Sequence, residues 1–199
     1  MNANPMLVDE AIARRRSCRS FEGRDVPRGA VEALIRAAQG RTGEDGDRAV
    51  PSAHRVRPLR LHLAARRIEG LDPGLYRVDP DAGTLVRTAE GDFGPRLQAA
   101  AIDDQPWIGA AAGVLAVSAD LGAMTRAFAD QAGLGDRALR YTHIEAGAAA
   151  QNVHLEAVAH GLGAVLVGGI RDEATAEALG LTPPLAPVLL MCFGWPAGA

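Results

Sequence analysis

The sequence contains no lysine, so all 21 of the basic residues among its 199 are arginines. A chain without lysine cannot form the Schiff base of pyridoxal enzymes or of lysine-dependent aldolases. It also cannot supply the lysine of a Walker A phosphate loop. This absence excludes several large enzyme classes before any motif is considered.

Cysteines and long hydrophobic runs are scarce. Cys18 and Cys192 are too few and too far apart for a disulfide framework, so we expect a reducing, cytoplasmic compartment. The N-terminal residues lack a signal-peptide pattern. The longest apolar run, 108–119, is too short to cross a bilayer and contains Gly109 and Gly113. We therefore expect a soluble protein without a membrane partner.

The remaining composition is typical of a folded globular protein, with 48% hydrophobic and 23% charged residues. The formal net charge of −3 argues against a dedicated nucleic-acid binder. The length suits one domain, and no repeat or low-complexity linker divides the chain, so we expect a single domain over residues 1–199.

Hydrophobic spacing predicts an α+β fold. Apolar residues at helical intervals, with capping signals, predict helices over 7–17, 27–39, 93–101, 137–160 and 172–179. Alternating or continuous apolar segments predict strands over 59–65, 74–78, 84–87, 112–119, 165–167 and 185–193. Ile12 is expected to face the core from the first helix. Because helices and strands do not alternate regularly, the pattern disfavours a doubly wound sheet.

Four arginines lie within six residues near the N-terminus, and the hydroxyl of Ser17 lies among them. The arginines are Arg14, Arg15, Arg16 and Arg19. Guanidinium groups bind phosphate through paired N–H donors. A solvent-exposed basic helix end would have the same sequence, but a basic cluster on an acidic protein favours an anionic ligand.

Other short motifs lack the context that their chemistry requires. Cys18 and Arg24 have phosphatase spacing, but they follow a predicted helix rather than a strand. The glycines of 161–163 follow a helix and precede a strand, which favours a helix C-terminus over a dinucleotide fingerprint. His143 and Glu145 form H-x-E without the P-C-x-x-C of zinc deaminases. No metal site is predicted. The G-x-S-x-G motif that would indicate a hydrolase is absent from the sequence.

The order of several segments resembles one family. Residues 15–21 fit R-x-S-x-R-x-F and are followed by the Pro-Ser-Ala-His of 51–54. Next come 70–80, the Glu-Ala-Gly of 145–147 with Gln-Asn at 151–152, and 161–163 ahead of 167–169. Over residues 8–195 this order resembles the nitroreductase-like flavin enzymes. It is most similar to their SagB-type dehydrogenase branch, which includes the azoline oxidases of thiazole/oxazole peptide biosynthesis.

The resemblance implies an FMN-binding homodimer with a central, mostly antiparallel sheet surrounded by helices. Each flavin would lie at the subunit interface and contact both chains. Arg15 and Ser17 would bind the FMN phosphate, with Arg16 assisting. Arg19 would lie near the N1/O2 edge of the flavin, where a cation stabilises negative charge on the ring.

Two further segments would contact the flavin according to the same resemblance. The residues at the ring or the ribityl chain are Pro51, Ser52 and Ala53. The residues along the opposite edge of the ring are Val167, Gly168 and Gly169. The backbone N–H of Gly168 would face N5, because a glycine allows close backbone approach.

The reaction implied is a ping-pong hydride transfer through flavin N5, from NADH or NADPH to a small acceptor such as a nitro compound or quinone. No catalytic side chain is assigned, although Arg140 and Tyr141 are candidates to line the substrate side. Two alternatives stay open within the flavin class. One is a SagB-type dehydrogenase or oxidase of a peptide-derived ring, and the other is a flavin-binding protein without turnover.

Three positions depart from the family pattern. No basic residue follows the last predicted strand, so the arginines of 14–19 would have to meet the phosphate charge. Arg57 precedes Pro58 where the branch often has tyrosine, and Ala148 follows Glu-Ala-Gly where histidine is common.

Overall fold

Six strands form one antiparallel sheet in the computed structural model, which describes residues 6–43, 46–134 and 136–198. The strands are β1 (Leu59–Ala65), β2 (Gly74–Asp79), β3 (Thr84–Glu90), β4 (Gly113–Asp120), β5 (Gly163–Val167) and β6 (Leu185–Gly194). Their order across the sheet is β3-β2-β1-β4-β6-β5, and every neighbouring pair is antiparallel. The predicted α+β class and mostly antiparallel sheet are confirmed.

Within the described residues, seven α-helices surround this sheet. They are α1 (Val8–Arg14), α2 (Arg28–Gln39), α3 (Gly94–Ala100), α4 (Trp107–Ala110), α5 (Leu121–Ala127), α6 (Arg137–Ala159) and α7 (Asp172–Leu179). Short 3₁₀ helices cover Ala53–Arg55 and Ala129–Leu134. None of the helices in the described ranges is both long enough and apolar enough to cross a membrane.

Both faces of the sheet are covered by helices, which explains why β4 is buried at every position except its last, Asp120. On one face, Leu115 and Val117 of β4 pack in a cluster with Leu34 of α2 and with the alanines of α6. On the other face, residues of β4, β5 and β6 pack with α3, α4 and α7. The central strands are therefore buried from both sides.

Small side chains allow α6 to lie close to its neighbours. Ala146, Ala149 and Ala150 are buried in the cluster shared with α2 and the sheet. Asn152, on the same helix, donates its side-chain amide to the carbonyls of Ala37 at 3.1 Å and Ala49 at 3.2 Å. These bonds attach both the end of α2 and the start of the 49–58 loop to α6.

The first helix differs from the prediction in length and orientation. It ends at Arg14, because Arg15 leaves helical geometry at φ −54° and ψ 124°. Ala11 is its buried residue, whereas Ile12 is 55% exposed, so the predicted inward orientation of Ile12 is wrong for the single chain. The apolar run 108–119 contains both the end of α4 and most of β4, so α4 was not predicted. Helix α5 was also not predicted.

Replacing Gly113 by alanine should destabilise the fold. Gly113 lies opposite Phe193 in the sheet, and a Cβ there would lie 2.5 Å from Phe193 Cζ, whose ring is fully buried. We expect Gly113→Ala to lower the free energy of unfolding by about 1–3 kcal/mol, the usual cost of overpacking.

Gly29→Ala in α2 is the matched control, because nothing lies within 4 Å of a Cβ there. It should be neutral or stabilising by about 0.5–1 kcal/mol, since alanine favours the helix. Urea unfolding at one protein concentration, followed by circular dichroism, measures both effects. Equal stability of the two variants would contradict the packing described.

Candidate functional site

The arginine-rich segment after α1 runs against β5. Ser17 pairs with Ala164 in a parallel bridge, and the backbone N–H of Cys18 donates to the Ala164 carbonyl at 2.9 Å. A Cβ at Gly163 would lie 2.5 Å from Cys18 Sγ, so only glycine permits this approach. Gly161, at φ +70°, ends α6 in left-handed geometry as the sequence predicts. The 161–163 segment therefore ends a helix and seats the arginine-rich segment.

Three arginines of this segment have no carboxylate partner among the described residues. Within the ranges that the structure describes, Arg15, Arg16 and Arg19 form no ion pair, whereas neighbouring Arg14 bonds Glu10 at 2.9 Å. Arg16 donates to the backbone carbonyls of Ala13 and Arg15, at 2.9 and 2.8 Å. Unpaired guanidinium groups beside the exposed Ser17 hydroxyl are a donor set that suits a phosphate group.

Two aromatic neighbours flank the cluster. The guanidinium of Arg19 lies 5.4 Å from the centre of the Trp107 ring, within the range of a cation–π contact. On α6, burial lowers the pKa of His154, and the positive charge of nearby Arg15 lowers it further. His154 is therefore neutral at pH 7, so the charge of this region comes from the arginines.

The segment 167–169 follows at the end of the same strand. Val167 is buried, but Gly168 is exposed, and a Cβ on it would have Leu166 Cδ2 as its nearest neighbour at 3.9 Å. The Gly169 carbonyl accepts hydrogen bonds from Ile102 N–H at 2.8 Å and from Gln105 Nε2 at 3.0 Å. The backbone at Gly168 is thus held in place yet open to a ligand.

Segments 15–19 and 167–169 therefore lie beside and at the end of the same strand, β5. Gly168 is four residues beyond Ala164, the partner of Ser17, which corresponds to about 13 Å of extended chain. A ligand with an anionic end and a flat ring at the other end could reach from the arginines to this glycine.

The segment 51–53 lies elsewhere on the chain. The Ser52 hydroxyl lies close to the Glu145 carboxyl group, whereas Arg15 is near His154. Glu145 and His154 are nine residues apart on α6, or about 14 Å along the helix axis. The structure therefore brings 15–19 beside β5 and 167–169 to the end of the same strand. It places Pro51, Ser52 and Ala53 toward the other end of α6.

The loop after Ala53 has unusual backbone geometry. Three non-glycine residues, His54, Arg55 and Arg57, have φ angles between 51° and 55°. Each costs on the order of 1 kcal/mol, and such residues cluster at functional sites. The His54 and Phe128 rings lie 4.7 Å apart, and the same distance separates Phe128 from Tyr141. This stack fixes the loop against α6 and places the half-buried Tyr141 beside it, while Arg140 is exposed.

Glu145 is a site residue to which the sequence assigned no role. It is 3% exposed, and its Oε2 atom has no hydrogen-bond partner in the described structure. Burial raises the pKa of Glu145, while the nearby Ser52 hydroxyl and the charge of Arg57 oppose that rise. Thr142, one turn earlier and fully buried, also has an unpartnered hydroxyl. The sequence signal for these two residues was their helical spacing from the alanines of α6, which indicates that they lie on its buried face.

Ser52 connects this carboxyl group to the loop. Its hydroxyl oxygen accepts the backbone N–H of Arg57 at 2.8 Å. The Arg57–Ser52 hydrogen bond orders the loop, and the Ser52 hydroxyl lies close to Glu145, so segment 51–53 lies against α6. In the described residues, no three His, Cys, Asp or Glu side chains are grouped closely enough to hold a metal ion.

Comparison with known proteins identifies similar chains. Residues 12–195 match the model of the Nitroreductase family. A Methanocaldococcus jannaschii protein named as a nitroreductase is 34% identical over 187 residues, which cover 94% of this chain and 90% of that protein.

Solved structures show the same fold. A Ralstonia eutropha protein, also named as a nitroreductase, has a TM-score of 0.82 at 24% identity, covering 100% of this chain and 87% of that one. A Desulfovibrio desulfuricans protein crystallised in complex with FMN has a TM-score of 0.68 at 24% identity, covering 99% and 89% of the two chains.

The buried carboxyl group makes stability depend on pH in a predictable direction. Because burial raises the pKa of Glu145, folding favours its protonated form. The destabilisation is absent below the ordinary pKa of 4.5 and develops as the pH rises through the raised pKa. Glu145→Gln removes the buried charge and should therefore stabilise the protein at pH 8 by about 1 kcal/mol, the scale of desolvating one buried polar group.

Thermal unfolding between pH 4 and pH 8 measures this dependence. The gain from Glu145→Gln should shrink toward zero at the acid end. Glu177→Gln, an exposed position on α7, should show no such trend. A gain that is constant with pH would contradict the assignment.

Proposed function

Because the chain belongs to the nitroreductase family, we propose that it is an FMN-dependent oxidoreductase that transfers hydride between NAD(P)H and a small organic acceptor, such as a nitro compound or quinone. The observation that carries the proposal is the arginine cluster beside β5, without carboxylate partners for Arg15, Arg16 and Arg19 among the described residues, together with the open backbone of Gly168 just after the same strand. Together these features provide an anion site and a ring site at a suitable separation.

The residues present fit the phosphate end of FMN. Arg15, Arg16 and Arg19 are cations without carboxylate partners among the described residues, and Ser17 adds a hydroxyl donor. Guanidinium groups bind phosphate oxygens through two parallel hydrogen bonds. The FMN-bound Desulfovibrio relative of the same fold supports this choice of cofactor. Residues 195–199, directly after β6, contain no basic residue, so we assign the phosphate charge to this segment.

When bound, the flavin supplies reversible hydride acceptance at N5. The protein's part is to bind and orient it. Arg19 provides positive charge for the N1/O2 edge, and Gly168 provides a backbone N–H donor that needs no reorganisation during the reaction. No side-chain acid or base is required, in keeping with the absence of an assigned catalytic residue.

A homodimer would complete the site. On one chain, Ser52 and Arg15 lie near positions on α6 that are about 14 Å apart along the axis. We assign segments 15–19 and 167–169 of one protomer and segment 51–53 of its partner to each flavin. Exposed apolar side chains on α1, α6 and β5 support association between copies, namely Val8, Ile12, Leu139, Ile144 and Leu166.

The first test is the visible absorption spectrum of the purified protein with added FMN. We expect bound-flavin bands that bleach when NADH or NADPH is added. Bands that persist would favour the alternatives, a SagB-type dehydrogenase acting on a peptide-derived ring or a binding protein without turnover. A protein that binds no flavin at excess FMN would contradict the proposal.

Arg15→Gln should weaken FMN binding. Loss of one charge-assisted hydrogen bond to phosphate costs about 1.5–3 kcal/mol, or roughly 10- to 150-fold in Kd. Titration of the apoprotein with FMN by fluorescence quenching gives the value. Arg36→Gln, the same change on the exposed face of α2, should leave the Kd unchanged. Equal affinities of the two variants would remove Arg15 from the flavin site.

Gly168→Ala tests the ring end separately. The added methyl group would have its nearest neighbour at 3.9 Å, so we expect an unchanged melting temperature of the apoprotein. The methyl group would occupy the space of the flavin edge, so FMN affinity should fall about tenfold, or 1.4 kcal/mol. Gly23→Ala, which is equally open, is the control. Unchanged FMN affinity in Gly168→Ala would exclude close approach of the ring.

A further inference from the structure

A second positively charged region lies away from the 15–19 cluster. A cavity of about 490 Å³ opens between the end of α2, the 48–61 segment and the β2–β3 hairpin. Its volume is within the range of about 300–1,000 Å³ that is usual for small-molecule sites. A neighbouring cavity of about 510 Å³ shares Arg48, Arg55 and Arg57 with it and extends to Pro51 and Ser52.

Arginine dominates the lining of the first cavity. Five arginines and two aspartates are found among its described lining residues. Arg48 bonds Asp81 at 2.9 Å, and Arg55 bonds Asp47, from the neighbouring cavity, at 2.8 Å. In the described ranges, Arg60 and Arg77 have no carboxylate within ion-pair distance, and the Arg60 guanidinium donates only to backbone carbonyls. The lining thus has an excess of positive charge.

Two buried N–H donors in this lining have no acceptor. Gln39 is 3% exposed, and its Nε2 atom has no hydrogen-bond partner. Arg48 donates through both terminal nitrogens, to the Gln39 carbonyl at 2.8 Å and to Asp81, but its Nε is also unpartnered. Buried donors are nearly always satisfied in proteins. Two donors without an acceptor among the described residues therefore show that this lining is short of acceptor oxygens.

We propose that this cavity binds a phosphate group, at a site separate from the flavin phosphate. A phosphate has only acceptor oxygens, carries up to two negative charges and matches the planar donor fork of arginine. The Gln39 amide and Arg48 form the floor, and Arg55 lies between this cavity and the next. The inference does not rest on the proposed oxidoreductase function.

Calorimetric titration of the FMN-saturated protein tests this site. Pyrophosphate is the free-anion probe, and ADP is the nucleotide probe. Gln39→Glu replaces an orphaned donor by an acceptor of the same shape, and Arg55→Gln removes an exposed cation without touching the core. Arg28→Gln, an exposed change at the far end of α2, is the control.

We expect wild-type protein and Arg28→Gln to bind at least one probe alike. Both cavity variants should bind it about tenfold more weakly or worse, with unchanged flavin spectra. Tighter binding of ADP than of pyrophosphate would identify a nucleotide ligand, and the reverse a free anion. Gln39→Glu is informative only if its melting temperature is near that of wild type, and Arg55→Gln serves as the independent variant.

Three outcomes would overturn the proposal. The first is that neither probe binds the wild-type protein. The second is equal binding by the cavity variants and Arg28→Gln. The third is displacement of FMN by the probe, which would make the cavity part of the flavin site. Because FMN binding is followed in the same samples, failure of this site is distinguishable from failure of the proposed flavin function.

Discussion

The close packing of α6 against the sheet positions the rest of the candidate site. Ala146, Ala149 and Ala150 present almost no side-chain volume, so α6 lies near both α2 and the strands. Every predicted site segment is then placed by this helix or by the strand that follows it. Helix α6 carries Glu145, which lies close to Ser52, and Asn152, which bonds the carbonyls of Ala49 and Ala37. It is followed by the turn at Gly161 that leads into β5.

Much of the fold could be predicted because its signals are local. Helix α2, flanked by Pro27 and Gly40, and α7, closed by the left-handed Gly180, follow from capping signals and apolar spacing. The hairpin of β2 and β3 follows from its turn residues. By contrast, α4 has only four residues, within an apolar run that continues into β4. Periodicity cannot divide such a run, because α4 covers only about one helical turn and the residues of β4 do not alternate.

The candidate site was predictable as a set of segments but not as an arrangement. The arginines and glycines could be singled out by residue type and order. Their adjacency depends on Gly163, where a Cβ would overlap Cys18, and no local pattern reports such a long-range approach. Glu145 belongs to the Glu-Ala-Gly motif that the sequence analysis identified. Its burial and its proximity to Ser52 arise only from tertiary packing. The flavin contacts themselves stay predictions.

The absence of lysine gives the two arginine-rich regions a common property and leaves one difference between them. Guanidinium groups present the same planar set of N–H donors in both regions, so both are suited to oxyanions. What separates them is pairing. Arg15, Arg16 and Arg19 have no acidic partner in the described chain, whereas Arg48 and Arg55 are held by Asp81 and Asp47. An anion entering the first region meets preformed charge, but one entering the second must compete with carboxylates. The first region is therefore suited to a resident cofactor, and the second to a ligand that exchanges.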